Sequence, residues 1–263
     1  MENYIKNFNN FDKISIYNFT LGDGGIGDYL KFYMIILKKC ISNNIKFYHK
    51  INNIQIEKYI RLKYDFLYIS SNEISKLKNV TIEKPQKYYR NPKGDGDVLY
   101  DGDILLNEIF YFDNIIKTNV KTLLPSLPIN YISIHLRLGD KFLETDKKFV
   151  LCKNDTRHFN LEKIYKFIED NKDKNIIFFC DNNDYRLKIK NKYENIIIST
   201  SQIGHTSLSN TTSKQMIDSI TDFYILSNSQ LIYSASFSGF SIMAGKFNNI
   251  KVILEQRYKT KKY

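Results

Sequence analysis

Residues 14–40 read ISIYNFTLGDGGIGDYLKFYMIILKKC, and this stretch decides the fold class. The apolar run at 14–20 is typical of a buried strand, the glycine-rich stretch 22–27 of a turn, and the periodic apolar stretch 29–40 of a helix. A strand that passes through a glycine loop into a helix is the first part of a βαβ unit. The stretch therefore predicts an α/β fold with a parallel sheet.

The glycine loop also has the spacing of a dinucleotide-binding fingerprint, Gly22-x-Gly24-x-x-Gly27. In such a loop the backbone N–H groups approach a phosphate at the N-terminus of the helix. A nicotinamide dinucleotide site would also need an acidic residue about 20 positions further on, but the second strand ends near His49. We therefore favour a backbone surface for another sugar or phosphate. A structural turn and a nicotinamide-dependent oxidoreductase are the alternatives.

Short apolar strands alternate with amphipathic helices along the rest of the chain. In the first half we expect strands at 45–48 and 66–69, helices at 54–62 and 108–117, and a loop over 85–103. The sequence Pro125-Ser-Leu-Pro128 interrupts the pattern, which then restarts. In the second half we expect strands at 131–136, 176–180, 196–199, 231–233 and 251–254, and helices at 161–171, 185–192, 213–227 and 240–247. Two Rossmann-like βαβ domains are therefore predicted, residues 1–125 and 126–263.

Composition excludes some classes of protein. Of the 263 residues, 43% are hydrophobic, which is enough to bury a core and excludes a largely disordered chain. The formal net charge of +11 comes from 39 basic residues, of which only six are Arg. Scattered Lys residues are typical of a solvated surface, so we expect no nucleic-acid partner. A basic protein that binds a polyanion, or that contacts an acidic membrane face peripherally, is the alternative.

Cysteine content and hydropathy bear on cofactors and location. Cys40, Cys152 and Cys180 are far apart and form no CxxC pair, so neither a disulfide framework nor a zinc site is expected. The sequence has no apolar leader and no run of about 18 apolar residues, the length that a membrane span needs. We therefore expect no transmembrane segment and a reducing setting, cytoplasmic or nuclear.

A basic motif follows the first strand of the second half. Residues 134–141 read IHLRLGDK, at the carboxyl end of that strand, where ligands of open α/β sheets bind. Alternation along a strand places His135 and Arg137 on the same side, and the planar guanidinium of an Arg fits a diphosphate. The alternative is a surface ion pair between Arg137 and Asp140, beside a histidine whose hydrogen bonds are satisfied.

A third candidate lies near the end of the chain. A helix that bears Asp222 leads into a strand, and the strand leads into a hydroxyl-rich turn at residues 234–241, of sequence SASFSGFS. Such a turn presents Ser hydroxyls and backbone N–H groups to an anion. Taken alone, the turn is better explained by a serine that caps the following helix.

Together, these motifs resemble those of the α-1,2-fucosyltransferases. The residues that carry the resemblance are Gly24-Gly25-Ile-Gly27-Asp28, similar to an amino-terminal glycine motif; His135-x-Arg137-x-Gly139-Asp140, similar to the HxRxGD peptide; Phe178-Phe-Cys-Asp181, similar to a strand that ends in an acidic cluster; and Ser236-Phe-Ser238, similar to a serine-rich turn. The HxRxGD peptide is shared in relaxed form with α-1,6- and protein O-fucosyltransferases. Order and approximate spacing agree over residues 14–254.

The resemblance implies an inverting transferase of the GT-B type. It would move fucose from GDP-fucose to a hydroxyl group of a glycan acceptor, without a metal ion or other cofactor. Residues 126–263 would bind the nucleotide sugar and residues 1–125 would face the acceptor, across a central cleft. The resemblance implies these contacts to the nucleotide sugar: Arg137 to the β-phosphate, His135 and Asp222 to the guanine, Ser238 to the diphosphate, with Gly24, Gly25, Gly27, Asp140, Asp181 and Ser236 completing the site.

Two residues are candidates for the base that takes the proton of the acceptor hydroxyl. Glu144 lies near the position where the α-1,6 enzymes keep a Glu, with Lys141 as a helper. Asp28 stands where the α-1,2 family usually has Asn. A positioned base contributes about 10²–10⁴-fold to the rate, so the right residue should be sensitive to substitution.

The two Asp-Gly-Asp segments, 95–97 and 101–103, suggest a different assignment. They resemble the DxD motif that binds a metal in transferases of the GT-A type. Because Asp-Gly is also a common turn sequence, we interpret both segments as turns and expect no metal site.

Overall fold

Two parallel β-sheets, one from each half of the chain, form the framework of the protein. The structure is a computed structural model that describes residues 1–85, 99–142 and 157–255. The elements of the first half are α1 (Glu2–Asn7), β1 (Ile14–Tyr17), α2 (Ile26–Ser42), β2 (Lys46–Lys50), α3 (Gln55–Tyr59), β3 (Ile60–Leu62), β4 (Tyr68–Ile69), α4 (Ser71–Ile74), β5 (Val80–Glu83), α5 (Leu106–Ile109), β6 (Phe110–Phe112) and α6 (Asn114–Leu123). Those of the second half are β7 (Ile132–Leu136), α7 (Leu161–Glu169), β8 (Ile176–Cys180), α8 (Asn183–Lys192), β9 (Ile196–Ile197), α9 (Ser213–Ser227), β10 (Ile232–Ser234), α10 (Gly239–Phe247) and β11 (Val252–Leu254).

The first sheet has the order β4-β2-β1-β5, and its neighbouring strands are parallel. Its inner strand β1 is buried along its whole length. Helix α2 connects β1 to β2 and packs on both strands. The strand, glycine loop and helix predicted for residues 14–40 are confirmed, with the strand ending at Tyr17 rather than at residue 20.

The second sheet has the order β11-β10-β7-β8-β9, again with parallel neighbours. Every residue of β7 and β8 is buried, as expected for strands covered by helices on both faces. The strands predicted for this half are confirmed, and β8 matches its predicted bounds to the residue. The carboxyl ends of β7 and β8 therefore lie side by side.

Two helices predicted for the first half are wrong in part. The helix predicted over 54–62 is α3 followed by β3, and the one predicted over 108–117 is divided among α5, β6 and α6. Strands β3 and β6 pair antiparallel, and in each the outer residues are buried and the middle one is exposed. Three-residue strands are too short for periodicity to distinguish them from helical turns.

Other differences concern short elements of the first half. The strand predicted over 66–69 begins as a turn of 3₁₀ helix at Asp65–Leu67, so only Tyr68–Ile69 pair as β4. Strand β5 and helix α1 were not predicted. In β5 only Glu83 is buried, because the strand lies at the edge of its sheet, and this gives no apolar run to detect.

One apolar cluster runs through both halves of the chain. Helix α9 packs against α3 and α6, and α10 packs against α2. The ring of Phe112 in β6 lies 6.2 Å from that of Phe223 and 4.5 Å from that of Phe247, measured between centroids. Helices of the second half thus complete the core of the first. The division into domains at residue 125 stays a prediction.

Within the described ranges, no helix combines the length and the apolar content that crossing a bilayer requires. Cys40 and Cys180 are buried thiols. Cys152 lies outside the described residues.

Candidate functional site

A cleft of about 400 Å³ lies where the carboxyl ends of β7 and β8 meet the N-termini of α2 and α10. The predicted site residues that line it are Gly25, Gly27, Asp28, His135, Arg137, Asp181, Asp222 and Ser238. Gly24, which turns the loop with φ of +136°, and Ser236 do not line it. The side chain of Asp140 and the whole of Glu144 lie outside the described residues. Motifs far apart in sequence therefore converge on one cavity.

The glycine loop lies at a close crossing of two helices. A Cβ atom on Gly27 would be 2.5 Å from the carbonyl carbon of Gly239, so α2 and α10 touch backbone to backbone at their first turns. A Cβ atom on Gly25 would be 3.2 Å from the hydroxyl oxygen of Thr206, to which the Ile26 N–H donates at 3.1 Å. Packing thus explains both glycines, and it brings the N-termini of both helices to the cleft.

The end of β2 argues against a nicotinamide site. His49 is fully buried there, with its Nε2 3.0 Å from Glu57 Oε1. The rings of Tyr17, Tyr33 and Tyr68 pack around it, with centroids 5.6, 5.8 and 5.5 Å from that of His49. A buried histidine of the core therefore stands at the end of β2, where a dinucleotide fold carries the acidic residue that binds the ribose.

His135 is a neutral histidine at the base of the cleft. The residue is 8% exposed, and its ring stacks on that of Phe240, with centroids 5.1 Å apart and 19° between the planes. Burial, together with the positive charges of Arg137 and Arg186, lowers the pKa of His135 to about 3. The ring is therefore uncharged, and its Nδ1 is a buried nitrogen without a hydrogen-bond partner among the described residues.

Arg137 is fixed through its backbone and its guanidinium. Its N–H donates to the Ser236 hydroxyl oxygen at 2.8 Å, and that hydroxyl donates to the Arg137 carbonyl at 2.9 Å. Its Nε lies 3.3 Å from Asp181 Oδ2. Among the described side chains Arg137 therefore pairs with Asp181; the ion pair with Asp140 stays a prediction, because that side chain lies outside the described residues. The Arg137 side chain lines the cleft, and its position is fixed by the contacts with Ser236 and Asp181.

Asp181 also holds the loop that follows Arg137. Its two carboxylate oxygens accept from the N–H groups of Leu138, at 2.7 Å, and Gly139, at 3.1 Å. Gly139 has φ of +109°, where a side chain would be strained. These contacts give Asp181 and Ser236 a role in placing Arg137, and their predicted contact with a nucleotide stays a prediction.

A buried ion pair between Arg186 and Asp222, which was not predicted from the sequence, lies at the cleft. The side chains of Arg186 and Asp222 are 4% and 9% exposed, with Nη2 3.3 Å from Oδ2. The Asp222 carboxylate also accepts from the hydroxyls of Ser199, at 2.9 Å, and Ser201, at 2.6 Å. Arg186 Nε donates to the Cys180 carbonyl at 2.8 Å. Burial raises the pKa of Asp222, while Arg186 and the two hydroxyls oppose that rise.

A signal for Arg186 was present in the composition. Arg is scarce in this Lys-rich chain, and the reasoning that singled out Arg137 for its geometry applies equally to Arg186 and Arg157, which also line the cleft. What the sequence could not show is that the residues from 199 to 206, after β9, fold back to the same place.

Asp28 forms an ion pair on the wall contributed by the first half. Its Oδ1 lies 2.9 Å from Nζ of Lys31, one turn further along α2, and both residues line the cleft. The Lys31 side chain is 6% exposed and that of Asp28 is 31% exposed. An Asp followed three residues later by a Lys on a predicted helix is the sequence pattern that could have predicted this pair.

The described Asp-Gly-Asp segment lies at the surface. Asp101 has a side chain 84% exposed, and it pairs with Lys38 at 2.7 Å. Residues 95–97 lie outside the described ranges. Within those ranges, no three His, Cys, Asp or Glu side chains are grouped as a metal site would require.

The architecture is shared with solved structures. No family model and no curated protein matches the sequence. The chain is similar to the α-1,6-fucosyltransferase NodZ soaked with GDP-fucose, with a TM-score of 0.55 and 10% identity over 90% of this chain and 92% of that one. It is similar to a variant of Arabidopsis thaliana FUT1 in complex with GDP, with a TM-score of 0.55 and 10% identity over 99% of this chain and 76% of that one. For the fucosyltransferase NodZ from Bradyrhizobium the TM-score is 0.51, with 10% identity over 89% and 92% of the two chains.

These likenesses extend over nearly the whole chain and join its two sheets in one arrangement. At this level of identity they establish the fold. The protein has a GT-B-like fold, in which two Rossmann-like parallel sheets face a central cleft.

Proposed function

We propose that this chain is a glycosyltransferase that moves fucose from GDP-fucose to a hydroxyl group of a glycan. The observation that carries the proposal is the position of Arg137 in a cleft between two parallel sheets, where Ser236 holds its backbone and Asp181 holds its guanidinium. The donor is supported by the similar structures, since NodZ was soaked with GDP-fucose and FUT1 is in complex with GDP.

We propose that Arg137 and the start of α10 bind the departing diphosphate. Ser238 is the N-cap of α10, and its side chain makes no capping hydrogen bond to the described residues. The N–H groups at the start of this helix carry partial positive charge. As the bond between fucose and phosphate breaks, negative charge develops on the diphosphate, and a fixed guanidinium with oriented N–H groups stabilises it. In this scheme protein groups supply the positive charge, so we propose transfer without a metal ion.

His135 and Asp222 are proposed to contact the guanine. Guanine carries N–H donors on one edge, which suit a carboxylate, and a neutral histidine ring has one nitrogen that donates and one that accepts. Asp222 already accepts from Ser199, Ser201 and Arg186. A carboxylate has about four acceptor sites, so one remains on Asp222 for an N–H group of the guanine.

Asp28 is proposed as the base for the acceptor hydroxyl. It lines the same cleft as Arg137 but belongs to α2, in the first half of the chain. We propose that the hydroxyl attacks the anomeric carbon on the face opposite the diphosphate and so inverts that centre. We propose that residues 1–125 bind the glycan and residues 126–263 the nucleotide sugar. The α-1,2 linkage is proposed from the sequence resemblance. Glu144 is the second candidate for the base.

The test measures release of GDP from labelled GDP-fucose, with and without candidate acceptor sugars. Arg137→Lys is expected to lower turnover about 10²–10³-fold, because Lys keeps the charge but cannot reproduce the planar fork. Arg61→Lys is the matched control, since Arg61 is half exposed, lies 3.6 Å from Asp113 and does not line the cleft. This variant should keep full turnover. Near-normal turnover by Arg137→Lys, or thermal stabilisation by NAD or a polyanion but not by GDP, would contradict the proposal.

A further inference from the structure

Lys31 is a cation that the cleft wall buries. Its side chain is 6% exposed, although it belongs to a residue type that is almost always solvated. The ammonium lies 2.9 Å from Asp28 Oδ1 and 4.3 Å from the centroid of the Phe32 ring. Lys31 and Asp28 both line the cleft.

Other lysines on the same helix show the contrast. Lys38 and Lys39 also pair with carboxylates, Asp101 and Glu83, but their side chains are 46% and 51% exposed. Burying an ammonium group carries a large desolvation cost, which an apolar side chain of similar length would not have. A lysine enclosed in the cleft therefore indicates a role at the carboxylate that it contacts.

The contact engages one oxygen of Asp28 and leaves the other for a ligand. Lys31 lies against Oδ1, and no described residue donates a hydrogen bond to Oδ2. The Asp28 side chain is 31% exposed, so a molecule in the cleft can reach it. A carboxylate held on one side by a buried cation has a restricted orientation, as a base requires.

We propose that Lys31 is a positioning residue, which fixes the Asp28 carboxylate so that Oδ2 accepts the proton of the acceptor hydroxyl. The role rests on the fucosyl transfer proposed above. In that step the acceptor oxygen forms a bond to the anomeric carbon of fucose, and the bond from that carbon to the diphosphate oxygen breaks. The electron pair leaves with GDP, and the hydroxyl proton moves to Asp28. Lys31 keeps its own proton throughout.

The experiment compares transfer kinetics and GDP binding among variants of the full chain. Lys31→Met is expected to lower kcat for transfer at least about 10-fold, because a misplaced base loses much of its contribution, while the affinity for GDP stays unchanged. Lys31→Arg should recover part of the loss. Lys38→Met, which removes an exposed lysine–aspartate pair from the same helix, should stay within about twofold of wild type.

A double variant separates positioning from a structural role. If Lys31 acts through Asp28, then Lys31→Met combined with Asp28→Asn should be no slower than Asp28→Asn alone. The transfer kinetics of Lys31→Gln are measured in parallel. Binding of GDP shows which of the variants are folded.

The outcomes distinguish the two proposals. The role of Lys31 would be overturned if the two losses multiplied in the double variant, or if Lys31→Met were as active as Lys38→Met. In either case, turnover by the wild-type protein would still support the proposed transferase activity. A wild-type protein that releases no GDP from GDP-fucose with any acceptor would overturn both.

Discussion

Gly27→Ala places a methyl group at the crossing of α2 and α10. The new Cβ would lie 2.5 Å from the carbonyl carbon of Gly239 and 2.6 Å from the backbone nitrogen of Phe240. Favourable carbon contacts begin at about 3.5 Å, so the two backbones must separate by about 1 Å. No side-chain rotation can relieve the clash, because both neighbouring atoms belong to the backbone.

The energetic result follows from two opposing effects. Overpacking of this kind costs about 1–3 kcal/mol, and a rigid backbone contact lies at the upper end of that range. Alanine gains about 1 kcal/mol over glycine in a helix, which leaves a net loss of about 2 kcal/mol for Gly27→Ala. At about 2–4 °C per kcal/mol for a chain of this size, the melting temperature should fall by about 4–8 °C.

The matched control is on the facing helix. A Cβ atom on Gly239 would have its nearest neighbour at 3.8 Å, an ordinary contact, so Gly239→Ala should melt at or slightly above the wild-type temperature. Thermal unfolding with and without GDP measures both effects. Gly27→Ala should also bind GDP more weakly, because it displaces the start of α10 beside Ser238. Equal melting temperatures for the two variants would refute the close crossing.

Two further predictions concern buried ionisable side chains. The pKa of His135, lowered to about 3 in the folded chain, is about 6.5 when unfolded. Between these values the unfolded chain binds an extra proton, so the free energy of unfolding should decrease as the pH is lowered from about 6.5 towards 3, by up to about 1.4 kcal/mol per pH unit. His135→Gln should reduce that slope in urea unfolding at pH 7 and pH 5, and an unchanged slope would contradict the assignment. Arg186→Met leaves Asp222 buried without its cation and should cost about 3–5 kcal/mol. Adding Asp222→Asn should restore part of that loss in the same assay, whereas additive losses would argue against the pair.

The second half of the chain was the more predictable from sequence. Strands β7 and β8 are buried along their whole lengths. β8 is a continuous apolar run bounded by Asn175 and Asp181, whereas β7 alternates apolar residues with Ser133 and His135. Helix α9 begins at a capping box formed by Thr212 and Gln215, and its predicted bounds agree with the structure. In such segments, local sequence and burial give the same signal.

The cleft shows where sequence reasoning reaches its limit. Gly27 fits a phosphate-binding fingerprint by spacing, yet its closest neighbour is Gly239, a contact that no local pattern encodes. Arg186 and Lys31 were overlooked because their burial depends on chain segments that come together only in the folded protein. His135 and Arg137 were found because strand alternation is a local property, and both do line the cleft.

The contact between the first turn of α2 and the second half has a consequence for synthesis on the ribosome. Ile26 donates to Thr206, which follows it by 180 residues, and α10 is made later still. Before α10 has been synthesised, the face of α2 that it covers has no partner in the nascent chain. That apolar surface is then exposed to water or bound by a chaperone. Formation of the cleft is therefore one of the last events in the folding of the nascent chain, and mutations that slow the emergence of α10 should lower the yield of folded protein without altering its final stability.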